Sequence, residues 1–217
     1  RCQAADTADM GMEKFFDIVC RVGGLTPSGV VLVVTVKALK HHGGNPEGGA
    51  EVVEAGSANL VRHLGIVREF GLDAVVAVNR FPADTDEEIE QVRRISLANG
   101  AFAAEANEAV LRGGEGAQAL ARAVVAATEE PRSFAPVYEL EETIERKIEA
   151  IATHVYGADG ILLQPAARQK ITELERMGFD RLPICMAKTH LSLSHDPTLA
   201  NAPTGFTVTV RDIRPYT

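Results

Sequence analysis

Lys37, Lys40, His41, His42, Gly43 and Gly44 follow directly on the apolar run V-V-L-V-V-T-V of Val30–Val36. A buried strand that opens into lysines and glycines suits an anion: lysine supplies a point charge, and glycine lets backbone N–H groups approach a phosphate. A basic, flexible loop would carry the same residues. A second candidate is the stretch N-R-F-P-A-D-T (Asn79–Thr85), behind the apolar run D-A-V-V-A-V of Asp73–Val78. Open α/β sheets bind ligands beyond the C-terminal ends of their strands, which is where Asn79, Arg80 and Phe81 stand. An ordinary strand-to-helix connection is the alternative. Thr85 and Glu88 have the spacing of a capping box, so a helix starts there.

Other constellations carry less. Gly114–Ala119 fits the loose dinucleotide pattern G-x-G-x-x-A, but that fingerprint needs a strand before it, and Val110-Leu111-Arg112 is too short to supply one. Ser194-His195-Asp196 holds the residue types of a hydrolase triad, yet adjacent side chains diverge where a triad must converge. As part of the polar loop K-T-H-L-S-L-S-H-D-P these residues suit the lining of a pocket. His41 and His42 have no carboxylate or cysteine at ligand spacing, so no metal site is expected. The Walker pattern G-x-x-x-x-G-K-[ST] does not occur.

The elements that would position these residues alternate between types. Strands are expected at Val30–Val36, Ala74–Val78, Ala101–Ala104, Gly160–Leu163, Leu182–Ala187 and Phe206–Val210. Helices are expected at Glu51–Phe70, Asp86–Ala98, Glu115–Glu129, Glu139–Val155 and Pro165–Met177. Ala8–Arg21 reads as a short helix running into a strand. Such alternation points to α/β layers with a largely parallel sheet. The 217 residues carry a formal charge of -8, which argues against a nucleic-acid partner. No uninterrupted apolar stretch reaches the ~18 residues of a membrane span. Cys2, Cys20 and Cys185 are scattered, and read as reduced thiols of a cytoplasmic protein.

The segments A-D-M-G-M-E-K-F-F-D-I-V-C-R, T-V-K-A-L-K-H-H-G-G, A-V-N-R-F-P-A-D-T, G-G-E-G-A, Y-G-A-D-G-I, M-A-K-T-H-L-S-L-S-H-D-P and A-P-T-G-F-T-V-T-V-R-D-I-R together span residues 8–214. In content and order they resemble formate–tetrahydrofolate ligase. The resemblance implies a P-loop-NTPase-like layered parallel sheet, present in part, with a smaller α+β subdomain and a C-terminal α/β portion. The corresponding boundaries would be 1–56, 57–155 and 156–217. It implies ATP-dependent ligation of formate to tetrahydrofolate through formyl phosphate, with Mg2+, an additional monovalent cation, small-molecule substrates and a homotetramer.

Residue by residue, Phe81 and Pro82 match the turn forming one wall of the folate slot. Thr35, Lys37, Gly43, Gly44 and Asn79 match the nucleotide and phosphate side. Lys188, Thr189 and His190 match a loop beside the site. The family's P-loop, phosphate-binding Lys and formyl-phosphate Arg would lie upstream of Arg1, so the chain alone is expected not to catalyse the ligation. The family's second folate-stacking residue, a Trp, falls at Val110. Two readings follow: this chain is part of the ligase, or it is a catalytically inactive relative that binds folate or a partner.

Overall fold

The computed structural model describes residues 8–189, 192–199 and 201–216. They form two compact units: Pro27–Phe134, and the described parts of Arg1–Thr26 with Ala135–Thr217. The chain therefore passes between units at 26/27 and 134/135.

In the Pro27–Phe134 unit, strands β1 (Val30–Thr35), β2 (Ala74–Asn79) and β3 (Ala103–Asn107) form one parallel sheet in the order β1-β2-β3. Parallel neighbours need crossovers. Between β1 and β2 these are the helices Val36–His42, Ala50–Gly56 and Ala58–Glu69; between β2 and β3, the helix Asp86–Ala98. Central β2 is buried from Ala74 to Val78, as an unbroken apolar run demands. Leu64, Ile66, Val67, Phe70 and Val92 complete the core.

The expectations need three corrections in this unit. Strand β1 is not buried on both faces: it is the sheet's edge, and Val31 and Val33 are exposed. Lys37–His42 is helical rather than a loop, because the Thr35 hydroxyl accepts the Ala38 N–H at 3.1 Å and caps the first turn. The helix expected over residues 51–70 is two helices broken at Ser57, whose hydroxyl bonds back to the Val53 carbonyl at 2.6 Å. As the short Val110-Leu111-Arg112 segment implied, the Gly114 pattern follows a helical turn, Ala109–Arg112, and not a strand.

Gly56 has a packing role: a Cβ there would stand 1.8 Å from the Leu39 carbonyl oxygen. The Val36–His42 and Ala50–Gly56 helices thus meet backbone to backbone, which only glycine allows.

The second unit pairs β4 (Gly160–Leu163) with β5 (Thr207–Val210), again in parallel. Ile144, Ile148, Leu163, Ala167, Ile171, Leu174 and Val210 form its core. The helix expected to begin at Glu139 begins at Ile144, where Thr143 caps it, and becomes π-helical over Ile151–Val155. Pro165 opens the helix Pro165–Arg176 at its first turn, where the missing N–H costs nothing. Two further expectations fail. Ala8–Gly23 is helical throughout, with a π-helical middle at Phe15–Cys20. Leu182–Ala187 is not a strand: it pairs with no neighbour in a sheet.

Candidate functional site

Thr35, Asn79 and Asn107 end the three strands of the first sheet and are partners in its register. The Asn107 side-chain amide donates to Asn79 Oδ1 at 2.8 Å, joining two strand ends above the sheet. Beyond them the chain is fixed by short local bonds. The Arg80 N–H reaches the Asn107 carbonyl at 3.1 Å. The Phe81 N–H donates to Asp84 Oδ2 at 2.8 Å, and the Asp84 N–H returns to the Phe81 carbonyl at 3.0 Å.

The expected capping box is present: Glu88 accepts the Thr85 N–H at 2.9 Å, and the Thr85 hydroxyl accepts that of Glu88 at 3.3 Å. A turn tied at both ends presents the Phe81 ring outward, 43% exposed, beside the fixed backbone of Pro82. An exposed aromatic face on a rigid strand-end turn can stack a flat ligand.

The Arg80 guanidinium is held on two sides, by Asp86 Oδ1 at 2.5 Å and Glu108 Oε1 at 3.3 Å. Lys40 is also committed, to Glu88 Oε1 at 2.5 Å. Burial alone would raise the Glu88 carboxyl, but Lys40 and the Thr85 N–H outweigh it and hold this group below the usual carboxylate range. Of the anion candidates, the Gly43 and Gly44 amides donate to the Leu39 and His41 carbonyls at 2.8 and 3.1 Å. Lys37 is solvent-exposed. Among the described residues, no three His, Cys, Asp or Glu side chains are grouped to hold a metal ion.

Lys188 and Thr189 belong to the other unit. Lys188 Nζ donates to the Thr189 carbonyl at 3.0 Å and the Ser192 carbonyl at 2.5 Å, and lies 5.0 Å from the Tyr156 ring centroid. His190 lies outside the described residues. Tyr156, Met186, Lys188, His195 and Val208 line a cavity of about 820 Å³. Ser194 is buried, and its hydroxyl bonds to the Asp196 backbone at 2.9 and 3.0 Å. The Asp196 carboxylate accepts from Thr198, so Ser194 and Asp196 make a turn and no triad.

Sequence reasoning missed Glu108, Tyr156 and Glu13, whose carboxylate accepts the Tyr156 hydroxyl at 2.7 Å. Glu108 was the most accessible of these, since it stands one residue past the end of β3 as Arg80 does past β2.

Fold and site define a parallel α/β protein with a rigid turn that exposes an aromatic ring at the carboxyl ends of its first sheet. The chain belongs to the formate–tetrahydrofolate ligase family, whose model matches residues 2–217. It is 46% identical over 225 residues to a formate–tetrahydrofolate ligase of Cutibacterium acnes, covering 98% of this chain and 40% of that protein. It is 47% identical over 225 residues to the cytoplasmic C-1-tetrahydrofolate synthase of Homo sapiens and 45% over 226 residues to that of Schizosaccharomyces pombe. In both cases 98% of this chain and 24% of the relative are covered. The chain thus spans less than half the length of these relatives.

Proposed function

We propose that this chain carries the folate side of an ATP-dependent formate–tetrahydrofolate ligase. The observation that carries this reading is the Phe81-Pro82 turn, an exposed aromatic face locked by Asp84 at a strand end, where α/β sheets take ligands. In the proposed reaction formate attacks the γ-phosphate of MgATP to give formyl phosphate. The N10 amine of tetrahydrofolate then attacks the formyl carbon and releases phosphate. Phe81 stacks the pterin and Pro82 shapes the slot. Thr35, Lys37 and Asn79 stand on the nucleotide side. Exposed Lys37 makes no ion pair among the described residues, whereas the Gly43 and Gly44 amides are engaged in their helix end. Lys188 and Thr189 lie in the other unit, and their assignment rests on the family resemblance alone. The human and fission-yeast relatives are named as cytoplasmic, which supports a cytoplasmic protein; a homo-oligomer rests on the family resemblance.

Phe81→Ala is expected to weaken tetrahydrofolate binding by about 1–3 kcal/mol, the scale of a lost stacking aromatic. Calorimetry giving unchanged affinity would remove Phe81 from the site and this reading with it.

A second reading, a binding module without ligation, is favoured by one observation. Val110, 78% exposed on the Ala109–Arg112 turn, stands at the family's second stacking position. A valine cannot replace an indole face. Val110→Trp is therefore expected to tighten folate binding by about 1–2 kcal/mol in the same titration. No gain would mean that this position does not face the pterin.

A further inference from the structure

Glu108 joins the two segments that would flank the pterin, and its bonds run to both. Its Oε1 meets Arg80 Nη1 at 3.3 Å, one residue before Phe81. Its Oε2 meets Arg112 Nη1 at 3.0 Å, at the end of the turn that carries Val110. Its backbone N–H donates to the Gly116 carbonyl at 3.0 Å, and its carbonyl accepts the Leu111 and Arg112 N–H groups, each at 2.9 Å. Gly116 has no room for a side chain: a Cβ would stand 2.5 Å from the Glu108 carbonyl oxygen. The backbone of the Gly-rich turn is thus pressed against Glu108, while the carboxylate divides its two oxygens between two guanidiniums.

From this geometry we propose that Glu108 is a positioning residue for folate binding, fixing the Phe81 turn relative to the Val110 turn. The proposal rests on the folate-slot reading above. Stability is not its main contribution. The Glu108 side chain is 23% exposed and Arg112 59%, and ion pairs of that exposure contribute about 0–1 kcal/mol. Geometry is more sensitive, because a slot wall displaced by a fraction of an ångström loses contact on one face of its ligand. Asp86 holds the other side of Arg80 but sits on the first turn of the next helix with no bond to the Val110 segment, so it cannot substitute.

The test measures tetrahydrofolate affinity and steady-state kinetics of the full-length protein for Glu108→Ala, Glu108→Gln and Phe81→Ala. Glu108→Ala is expected to raise the Kd and KM for tetrahydrofolate roughly tenfold, leaving kcat and the KM for ATP within about twofold and the melting temperature within about 2 °C. Glu108→Gln keeps the shape and one accepting oxygen, and is expected to lose about threefold. Arg80→Ala with Glu108→Ala should be no worse than the more damaging single change, because both break one link. If Glu108→Ala and Glu108→Gln stay within twofold while Phe81→Ala loses affinity, Glu108 positions nothing and the proposal falls alone. If Phe81→Ala also has no effect, the folate-slot reading falls first. Should Glu108→Ala fail to fold, Glu108→Gln carries the same decision.

Discussion

Asp17→Asn is expected to stabilise the protein relative to wild type as pH rises, by about 2–3 kcal/mol between pH 5 and pH 8. Asp17 lies in the π-helical stretch Phe15–Cys20 and is 1% exposed. Its Oδ1 accepts the Val137 N–H at 3.0 Å, while Oδ2 is buried with no hydrogen-bond partner.

The groups facing it do not neutralise the carboxylate. Arg21, one turn on, sends Nη2 to the Tyr138 carbonyl at 2.5 Å and Nε to the backbone carbonyl of Asp17 at 3.1 Å, with its guanidinium over the Tyr138 ring. Glu13 is of like charge and takes the Tyr156 hydroxyl at 2.7 Å. Burial therefore wins over the Val137 bond and over Arg21, pushing the Asp17 carboxyl up from 3.8 to about 7.

An acid whose folded pKa is raised binds its proton more tightly in the folded state. Its stabilisation is complete below 3.8 and is lost as pH rises through about 7. Asparagine keeps an accepting oxygen for Val137 and carries no charge, so the variant lacks this loss. Urea denaturation of both proteins at pH 5, 6, 7 and 8 reads the difference directly. A difference that does not change with pH would mean that Asp17 is ionised throughout.

Features written in neighbouring residues were legible before the structure. Thr85 and Glu88 are three residues apart, and the capping box needs nothing else. The apolar run before Asn79 could only be a doubly covered strand, and that placed Phe81 at a strand end. Pro165 marked a helix start in the same local way.

What failed depended on partners far along the chain. Leu182–Ala187 has the composition of a strand, but a strand exists only where a neighbour supplies the other half of its ladder, and composition does not report that. Gly43 also has a packing role that its own neighbourhood in the sequence does not announce. A Cβ at Gly43 would stand 2.4 Å from the Val52 carbonyl oxygen, so this glycine allows two helices to touch. Val31 and Val33 looked buried because periodicity describes a strand and not its place in the sheet. Glu108 meets Arg80 across 28 positions of sequence, and nothing local to either residue announces the pair. At the candidate site the Phe81 turn was therefore readable and its tie to Glu108 was not.

Lys147→Met is expected to cost about 3–5 kcal/mol, the scale of leaving several buried carbonyls without their donor. Lys147 is fully buried on the Ile144–Ala150 helix, one residue before the core residue Ile148. Its ammonium donates to three backbone carbonyls: Asp180, Leu182 at 2.9 Å and Leu140 at 3.4 Å. Burial pushes this lysine below its usual pKa, with the Asp180 carboxylate the largest opposing influence. The three carbonyls match the three donors of an ammonium, which is why a lysine can occupy a core position.

Methionine is close to lysine in volume and flexible, so the change opens little space. It leaves three oxygens facing an apolar side chain, each costing about 1–3 kcal/mol if it stays dry. Relaxation and entry of water reduce that sum. The lost bonds also fasten the turn at Asp180–Leu182, from which the chain runs on to Lys188, so the damage is expected to reach the segment before Lys188. Urea denaturation gives the stability change, and hydrogen exchange shows whether the amides of Leu182 and Ile184 lose protection with it. A loss below about 1 kcal/mol would show that water satisfies the carbonyls unaided, and that Lys147 is carried in the core without holding the turn.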